Sequence, residues 1–338
     1  MSQSLHNITL KQAQAVLDKH VQTPGPITFF ERFPQSNAGQ ESYLIRLEGP
    51  RAYVLKLGVT DVLEVNSPYA PNALVSQYKL LSYLHTQKQF GSVPLPSPIA
   101  FDDSRSLLLQ AYILLGLPPG VHTLMPLTAA RSKMSLQQNV MTDLKMGALL
   151  HALHEVQNEW FGPPVMETDG VWSWQEAFTL MLEEALCATE ASGGLEIGLD
   201  MSEIRRLLSR AIGAFIFDDA EVPSFIWFMG GEEDVYVSVR EDDSEPQIVL
   251  ALADLSYALW GDPLLERLFV DPKPSQALLE GYQTPLILYP RQKTKRMWYT
   301  LYTALVILLG PSVEETRRTW ALDASRRAAE ELKNAPSY

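Results

Sequence analysis

The chain has 338 residues, of which 46% are hydrophobic, so it can bury a large core and is not expected to be globally disordered. Its 40 acidic and 27 basic residues give a net charge of −13, which argues against a nucleic-acid partner because such a surface repels phosphate backbones. The single cysteine, Cys187, rules out an internal disulfide and fits a reducing compartment.

The first part of the chain predicts a helix and linker followed by a β-rich lobe. Residues 1–26 begin without a signal-peptide pattern and end in the helix breaker Thr23-Pro24-Gly25-Pro26. We interpret residues 27–120 as the N-lobe. The predicted elements are a helix over residues 8–18, a β-hairpin of residues 43–47 and 52–57, a helix over 72–85, and a strand or strand pair over 106–115.

Residues 121–338 predict a mainly helical C-lobe. Its longest apolar run, residues 298–310, is too short to span a bilayer, so we expect a cytoplasmic protein with no membrane partner. Within this lobe, residues 224–254 form two β-type runs around a polar turn and predict a hairpin. The predicted helices cover residues 133–156, 173–191, 201–216, 264–282 and 291–332. The expected fold is therefore α+β with two lobes.

Residues 253–263 carry the most specific pattern in the chain, ADLSYALWGDP. This run resembles the metal-binding signature I-D-W-E-x-A-x-x-G-D-P of the aminoglycoside phosphotransferase and choline kinase-like family. Weaker matches follow the family order at residues 35–43, 93–96 and 146–154. The resemblance covers residues 27–310 and implies a protein-kinase-like fold with a cleft between the two lobes.

The segment SFIWFMGGEEDVYV, residues 224–237, stands where that family has its catalytic loop, H-G-D-L-H-x-G-N followed by hydrophobic residues. Aligned without gaps, Trp227 replaces the first His, Met229 replaces the catalytic Asp, and Asp234 replaces the Asn. A thioether cannot accept a proton, and losing a general base typically costs about 10²–10⁴-fold in rate. The resemblance thus implies a kinase scaffold with a degenerate catalytic loop.

The resemblance also implies positions that would contact a nucleotide. Ser36 and Asn37 lie in the hairpin that covers the nucleotide, and Lys56 stands where a strand lysine touches the phosphates. With Val54, Leu55 and Leu57 as apolar neighbours, Lys56 is expected to point inward, with Tyr53 and Leu55 facing the other way. Gln77 occupies the place of the helix glutamate that pairs with this lysine.

Asp254 is the candidate metal ligand within ADLSYALWGDP, and Asp234 is a second, since carboxylate oxygens suit a hard cation. ATP and Mg²⁺ are expected as cofactors only if the chain is a kinase. A shift in the loop alignment that brings Glu232 or Glu233 to the catalytic position would favour that alternative.

Three functions follow from these features. In the first, the cleft binds a small, partly apolar metabolite and catalyses a non-phosphoryl reaction in secondary metabolism, such as a cyclisation or a proton transfer. Its candidate substrate-binding residues are Trp227, Met229 and Trp260, because apolar side chains would replace polar ones at the cleft. Its candidate catalytic residues are Glu232, Glu233 and Asp234. The alternatives are an atypical ATP-dependent small-molecule kinase and a catalytically silent pseudokinase that acts through a protein partner.

Overall fold

The computed structural model describes residues 8–33, 40–58, 67–90, 93–118, 124–192, 198–238, 246–270, 273–287, 289–310 and 313–336. Its N-terminal part is built on an antiparallel sheet of five strands in the order β1-β2-β3-β5-β4. The strands are β1 (Ile27–Arg32), β2 (Ser42–Leu47), β3 (Ala52–Leu57), β4 (Ser97–Asp102) and β5 (Tyr112–Gly116). The predicted hairpin is therefore confirmed as β2 and β3.

The two faces of this sheet have different partners. Tyr53 and Leu55 lie on the face that packs against α1 (Leu10–His20). Val54 faces the opposite core, which is shared with α2 (Leu74–Thr86) and with the C-terminal part of the chain. Since side chains alternate along a strand, Lys56 lies on the same face as Val54. The predicted inward direction of Lys56 is confirmed.

The C-terminal part is mainly helical. The helices are α3 (Leu127–Ala130), α4 (Leu136–His154), α5 (Trp174–Ala191), α6 (Met201–Gly213), α7 (Gln276–Tyr282), α8 (Pro290–Leu309) and α9 (Glu315–Asn334). Helices α4 and α7 touch backbone to backbone at Gly147 and Gly281. A Cβ at Gly147 would lie 2.1 Å from the Leu278 carbonyl oxygen, and a Cβ at Gly281 would lie 2.1 Å from that of Leu144.

Five short strands in this part bring two loops side by side. They are β6 (Met125–Pro126), β7 (Ser224–Ile226), β8 (Tyr236–Ser238), β9 (Gln247–Leu250) and β10 (Leu259–Gly261). Strand β8 pairs with β6 and β9, whereas β7 pairs with β10. The loop between β7 and β8 therefore lies against the loop between β9 and β10. We call these the first loop (residues 227–235) and the second loop (residues 251–258).

Three predicted elements differ from the structure. The helix expected over residues 264–282 is only α7, because Pro272 and Pro274 interrupt the segment and Ser275 caps a new helix. The helix expected over 291–332 is the pair α8 and α9, with Gly310-Pro311 in the sequence between them. The strand expected over 106–115 is β5 alone, and β4 was not predicted.

The fold class is confirmed as mixed α+β. Within the described residues, no helix has the length and apolar character needed to cross a membrane.

Candidate functional site

Trp227 joins the first loop to the second loop. Its indole Nε1–H donates a hydrogen bond of 2.7 Å to the backbone carbonyl of Asp254. Its backbone N–H donates at 3.0 Å to Glu266, a carboxylate that is fully buried. The side chain of Trp227 is itself only 1% exposed. A buried indole N–H needs an acceptor, and here the acceptor belongs to the loop that carries Asp254.

A tight turn holds the middle of the first loop. The N–H of Gly230 donates at 2.8 Å to the carbonyl of Trp227, and Met229 within the turn has a φ of +63°. That left-handed conformation is unusual for methionine and more common for Asn, Asp or Gly. Gly230 packs on the indole, since a Cβ there would lie 2.2 Å from the ring of Trp227. The turn therefore requires a residue without a side chain beside Trp227.

Lys56 is the centre of a buried network at the junction of the sheet and the helical part. Its Nζ donates to the Asp254 Oδ1 at 2.5 Å and to the Gln77 Oε1 at 2.7 Å. Gln77, which occupies the place of the pairing glutamate, thus contacts Lys56 through a hydrogen bond and not through an ion pair. The Asp254 Oδ1 also accepts hydrogen bonds from the Ser256 backbone N–H at 3.0 Å and from its hydroxyl at 2.5 Å.

Two further polar residues close this network. The amide of Gln77 donates to the Gln40 side-chain oxygen at 3.2 Å and to the Asn72 carbonyl at 2.7 Å. Asn72 in turn donates to the carbonyls of Leu255 and Ala258 at 3.0 and 2.8 Å. All of the side chains that form the network are buried. We call Lys56, Gln77, Asp254, Ser256, Gln40 and Asn72 the lysine network.

The two buried aspartates have opposite pKa shifts. Burial acts to raise the pKa of Asp254, but the Lys56 ammonium outweighs it and holds that pKa below its usual range. Burial raises the pKa of Asp234 well above its usual range, and the negative charges of Asp254 and Glu233 add to this effect. The two shifts therefore favour an ionised Asp254 beside an Asp234 that holds its proton more tightly than usual.

Glu232 is held by a single arginine. Arg131 forms hydrogen bonds to both carboxylate oxygens of Glu232, with its Nε 3.1 Å from each. The same guanidinium binds Asp143 at 2.6 Å and Asn139 at 3.1 Å. Arg131 is thus one cation shared by two carboxylates.

Glu233 has the opposite arrangement. Arg267 donates to its Oε1 at 2.7 Å, and the Nη1 of Arg317 lies 3.9 Å from the same oxygen. Here two cations lie beside the Glu233 carboxylate, and Asp234 is a further acidic neighbour of both. Burial acts against ionisation of Glu233, but the charges of Arg267 and Arg317 leave its pKa lower than usual. We call Arg267, Arg317 and Glu233 the arginine cluster.

The structure does not give the predicted substrate-binding residues an open surface. Trp227, Met229 and Trp260 are all buried among core side chains. The expectation that Trp227 faces the cleft is wrong. Its indole is buried and donates a hydrogen bond from the first loop to the Asp254 carbonyl of the second loop. A direct role of these three residues in ligand binding stays a prediction. Ser36 and Asn37 lie outside the described residues.

Several residues of this site were not found from the sequence. Arg267 lies near the start of the segment interpreted as a helix over residues 264–282, and Arg317 lies among several other arginines of α9. Glu266 precedes Arg267 and belongs to no sequence motif that we identified. Ser256, two residues after Asp254, is the one member with a signal, since a hydroxyl at that spacing can bond to the carboxylate.

Some of the side chains that are needed to bind Mg²⁺–ATP are present. Lys56 is a suitable phosphate contact, and the carboxylates of Asp234 and Asp254 are oxygen ligands of the kind that Mg²⁺ prefers. However, Lys56 and Asp254 bind each other, and the middle of the first loop holds a thioether. In the part of the chain that the structure describes, no group of three or more His, Cys, Asp or Glu side chains is arranged to hold a metal. The side chains present therefore match the needs of Mg²⁺–ATP only in part.

Solved structures of small-molecule kinases resemble this one. The predicted aminoglycoside phosphotransferase of Ralstonia eutropha JMP134 has a TM-score of 0.61 and 14% identity, covering 98% of this chain and 100% of that chain. The predicted fructosamine-3-kinase of Thermobifida fusca YX-ER1 has a TM-score of 0.60 and 16% identity, covering 96% and 100%. The choline kinase LicA of Streptococcus pneumoniae has a TM-score of 0.56 and 12% identity, covering 96% and 99%.

No protein-family model and no curated protein sequence matches the chain. The structural likeness nevertheless extends over almost the whole of each of these proteins. The chain therefore has the fold of the aminoglycoside phosphotransferases and choline kinases, as its sequence motifs indicated.

Proposed function

We propose that this chain binds a small molecule at the junction of its two lobes and does not transfer phosphate to it. The observation that carries this proposal is the buried ion pair of 2.5 Å between Lys56 and Asp254. This pair joins the residue suited to contact phosphate with the residue suited to hold the metal, so each neutralises the other. Met229, at the middle of the first loop, supplies no proton acceptor.

The acidic groups support a restricted form of acid–base chemistry. Glu232 and Glu233 are held by Arg131 and Arg267, and neither carboxylate is placed to accept a proton from a ligand without losing its partner. Asp234 is buried and its pKa is raised, so it holds its proton more tightly than an exposed aspartate does. A protonated carboxylic acid is a proton donor, which fits an acid-assisted step such as a cyclisation.

One observation favours an atypical kinase as the second candidate. Lys56, Gln77 and Asp254 come from β3, α2 and the second loop, and they meet at one place, as a nucleotide site requires. In that case the phosphates would displace Asp254 from Lys56, and a displaced carboxylate would replace the missing base. Action through a protein partner stays a prediction from the sequence.

ATP turnover decides between these two functions. We expect wild-type protein to form ADP from Mg²⁺–ATP no faster than a heat-treated control, with a panel of amines, sugars and alcohols as phosphoryl acceptors. Lys56→Ala and Asp254→Ala should leave this background unchanged. Turnover above background that both substitutions abolish would reject the proposal and establish the kinase.

A further inference from the structure

A recess lies in the helical part of the chain, where α6, α8 and the end of α9 meet. Helix α6 lines it with Leu207, Arg210 and Ala211, α8 with Thr294 and Trp298, and α9 with Leu332. None of the lining residues belongs to the sheet, the first loop or the second loop. We call this place the helical recess. It is separate from the junction of the two lobes.

The size and walls of the helical recess suit a small organic molecule. It contains about 270 Å³ of empty space, counting the part that is open to solvent. Pockets for drug-sized ligands measure about 300–1,000 Å³ and are mostly apolar, with a few polar groups that orient the ligand. Leu207, Ala211 and Leu332 supply apolar walls of this kind. A ligand that fits here is therefore smaller than a typical drug.

Trp298 brings a hydrogen-bond donor to this place. Its side chain is 1% exposed, and its indole Nε1 has no hydrogen-bond partner among the described residues. The ring of Phe217 packs edge to face against it, with 6.4 Å between the ring centroids. Buried polar groups almost always have a partner, and an indole N–H can only donate. An acceptor atom on a bound molecule would provide that partner.

Arg210 places a positive charge at the edge of the recess. Its Nη2 donates at 3.3 Å to the carbonyl of Ala335, which joins the last turn of α6 to the end of α9. Within the described residues, Arg210 makes no other hydrogen bond and no salt bridge. Arg206, one turn earlier on α6, is instead paired with Glu203 at 3.2 Å. The guanidinium of Arg210 therefore keeps N–H donors for a ligand.

We propose that the helical recess binds a small organic carboxylate, with its apolar body against Leu207, Ala211 and Leu332 and its carboxylate at Arg210 and Trp298. No acidic side chain is among the described residues that line the recess, so its charge favours an anion. One cation balances a carboxylate better than a phosphate group, which carries a charge of about −1.5 to −2 at pH 7. This is a second site, independent of the proposed function at the lobe junction.

Two arginines of α6 provide a matched pair of variants. Arg210→Met removes the charge at the recess, whereas Arg206→Met makes the same chemical change one turn away, at a residue that does not line it. Both side chains are exposed, so both variants should fold. Trp298→Phe is a third variant, which keeps an aromatic ring in the core and removes the N–H donor.

The experiment is saturation-transfer NMR of the full chain with benzoate, benzyl alcohol and benzylamine as probes, titrated separately at constant ionic strength. The three probes share one ring and differ in charge. Wild type should bind benzoate about 10-fold more tightly than benzyl alcohol, because a hydrogen bond to a charged group is stronger than one to a neutral group. Benzylamine should bind most weakly.

The variants locate this binding at the recess. Arg210→Met should weaken benzoate binding about 10-fold, and Trp298→Phe should weaken it about 5-fold. Arg206→Met should change it by less than about twofold, since its charge is exposed and screened. This pattern would support the proposal.

Absence of saturation transfer from wild type to benzoate would overturn the proposal. Equal affinity for the three probes would also overturn it, as would equal effects of Arg210→Met and Arg206→Met on benzoate binding. The two arginine variants decide the matter even if Trp298→Phe does not fold. Because no nucleotide is present and no residue of the two loops is changed, the outcome is independent of the ATP-turnover test.

Discussion

The lysine network and the arginine cluster meet neighbouring loops, and they differ in burial. In the lysine network, one ammonium meets one ionised carboxylate, and the remaining polar atoms around them are bonded to Gln77 and Ser256. In the arginine cluster, two guanidinium groups lie beside the half-exposed carboxylate of Glu233. All side chains of the first group are buried, whereas the second group reaches the surface at Glu233.

This difference has a consequence for stability. A buried ion pair that loses one partner leaves an uncompensated charge, so the lysine network resists change. An ion pair that is partly open to solvent is screened and contributes less to stability. The comparison therefore places rigidity at the lysine network and not at the arginine cluster.

Breaking the lysine network should have the largest effect. Lys56→Met leaves the buried Asp254 carboxylate without a cation, so we expect the free energy of unfolding to fall by about 3–5 kcal/mol. Asp254→Asn in the same chain removes the orphaned charge and should recover part of that loss. Urea unfolding of both single variants and the double variant measures the coupling. If the losses in the free energy of unfolding from the two single variants simply add in the double variant, the ion pair does not stabilise the junction between the sheet and the helical part.

Replacing the tryptophan that joins the two loops should have a smaller effect. Trp227→Phe keeps the aromatic packing but leaves the buried carbonyl of Asp254 without its donor, which should cost about 2 kcal/mol. The matched control is Trp172→Phe, since Trp172 is exposed and a surface substitution is expected to change stability by less than about 0.5 kcal/mol. Equal losses for the two variants would contradict a joining role for Trp227.

Asp234→Asn should have the smallest effect, and its sign should depend on pH. Because its pKa is raised, folded Asp234 binds a proton more tightly than unfolded Asp234 does. The stability that this group contributes is therefore present at acidic pH and is lost as pH rises from about 4 through the folded pKa. The Asn side chain can still accept the hydrogen bond from Gly231.

We expect Asp234→Asn to be more stable than wild type by about 1 kcal/mol at pH 8, with this advantage shrinking toward pH 4. Unfolding in urea at pH 4, 6 and 8 provides the test. A stability difference that stays the same across this range would show that Asp234 titrates normally and does not act as a neutral acid.

The elements whose pattern is local could be predicted from the sequence. The alternation of Tyr53, Val54 and Leu55 gave the two faces of β3 and hence the direction of Lys56. The order of the motifs indicated the fold, and it placed Gln77 at the family position beside the lysine that Gln77 contacts in the structure. These inferences succeeded because each depends on neighbouring residues or on a spacing that the motif contains.

The remaining parts of the site depend on contacts between distant segments. Arg317 is 84 positions from Glu233 in the numbering (317 minus 233), and nothing in the sequence distinguishes it from the other arginines of α9. Trp227 was expected to face a ligand because it replaces a polar residue. Its burial follows from the position of the Asp254 carbonyl, which only the folded arrangement of the two loops defines. Pairing of β7 with β10 was equally invisible from local pattern.

The most direct test of the central claim is the melting temperature with ATP or ADP, each with and without Mg²⁺. Ligand at a hundredfold over its Kd stabilises the folded state by about 2.7 kcal/mol, which shifts Tm by a few degrees. If Lys56 and Asp254 neutralise each other, millimolar nucleotide should give no Mg²⁺-dependent rise in Tm. A Mg²⁺-dependent rise that Asp254→Asn removes would contradict the account and show that the kinase site still binds nucleotide.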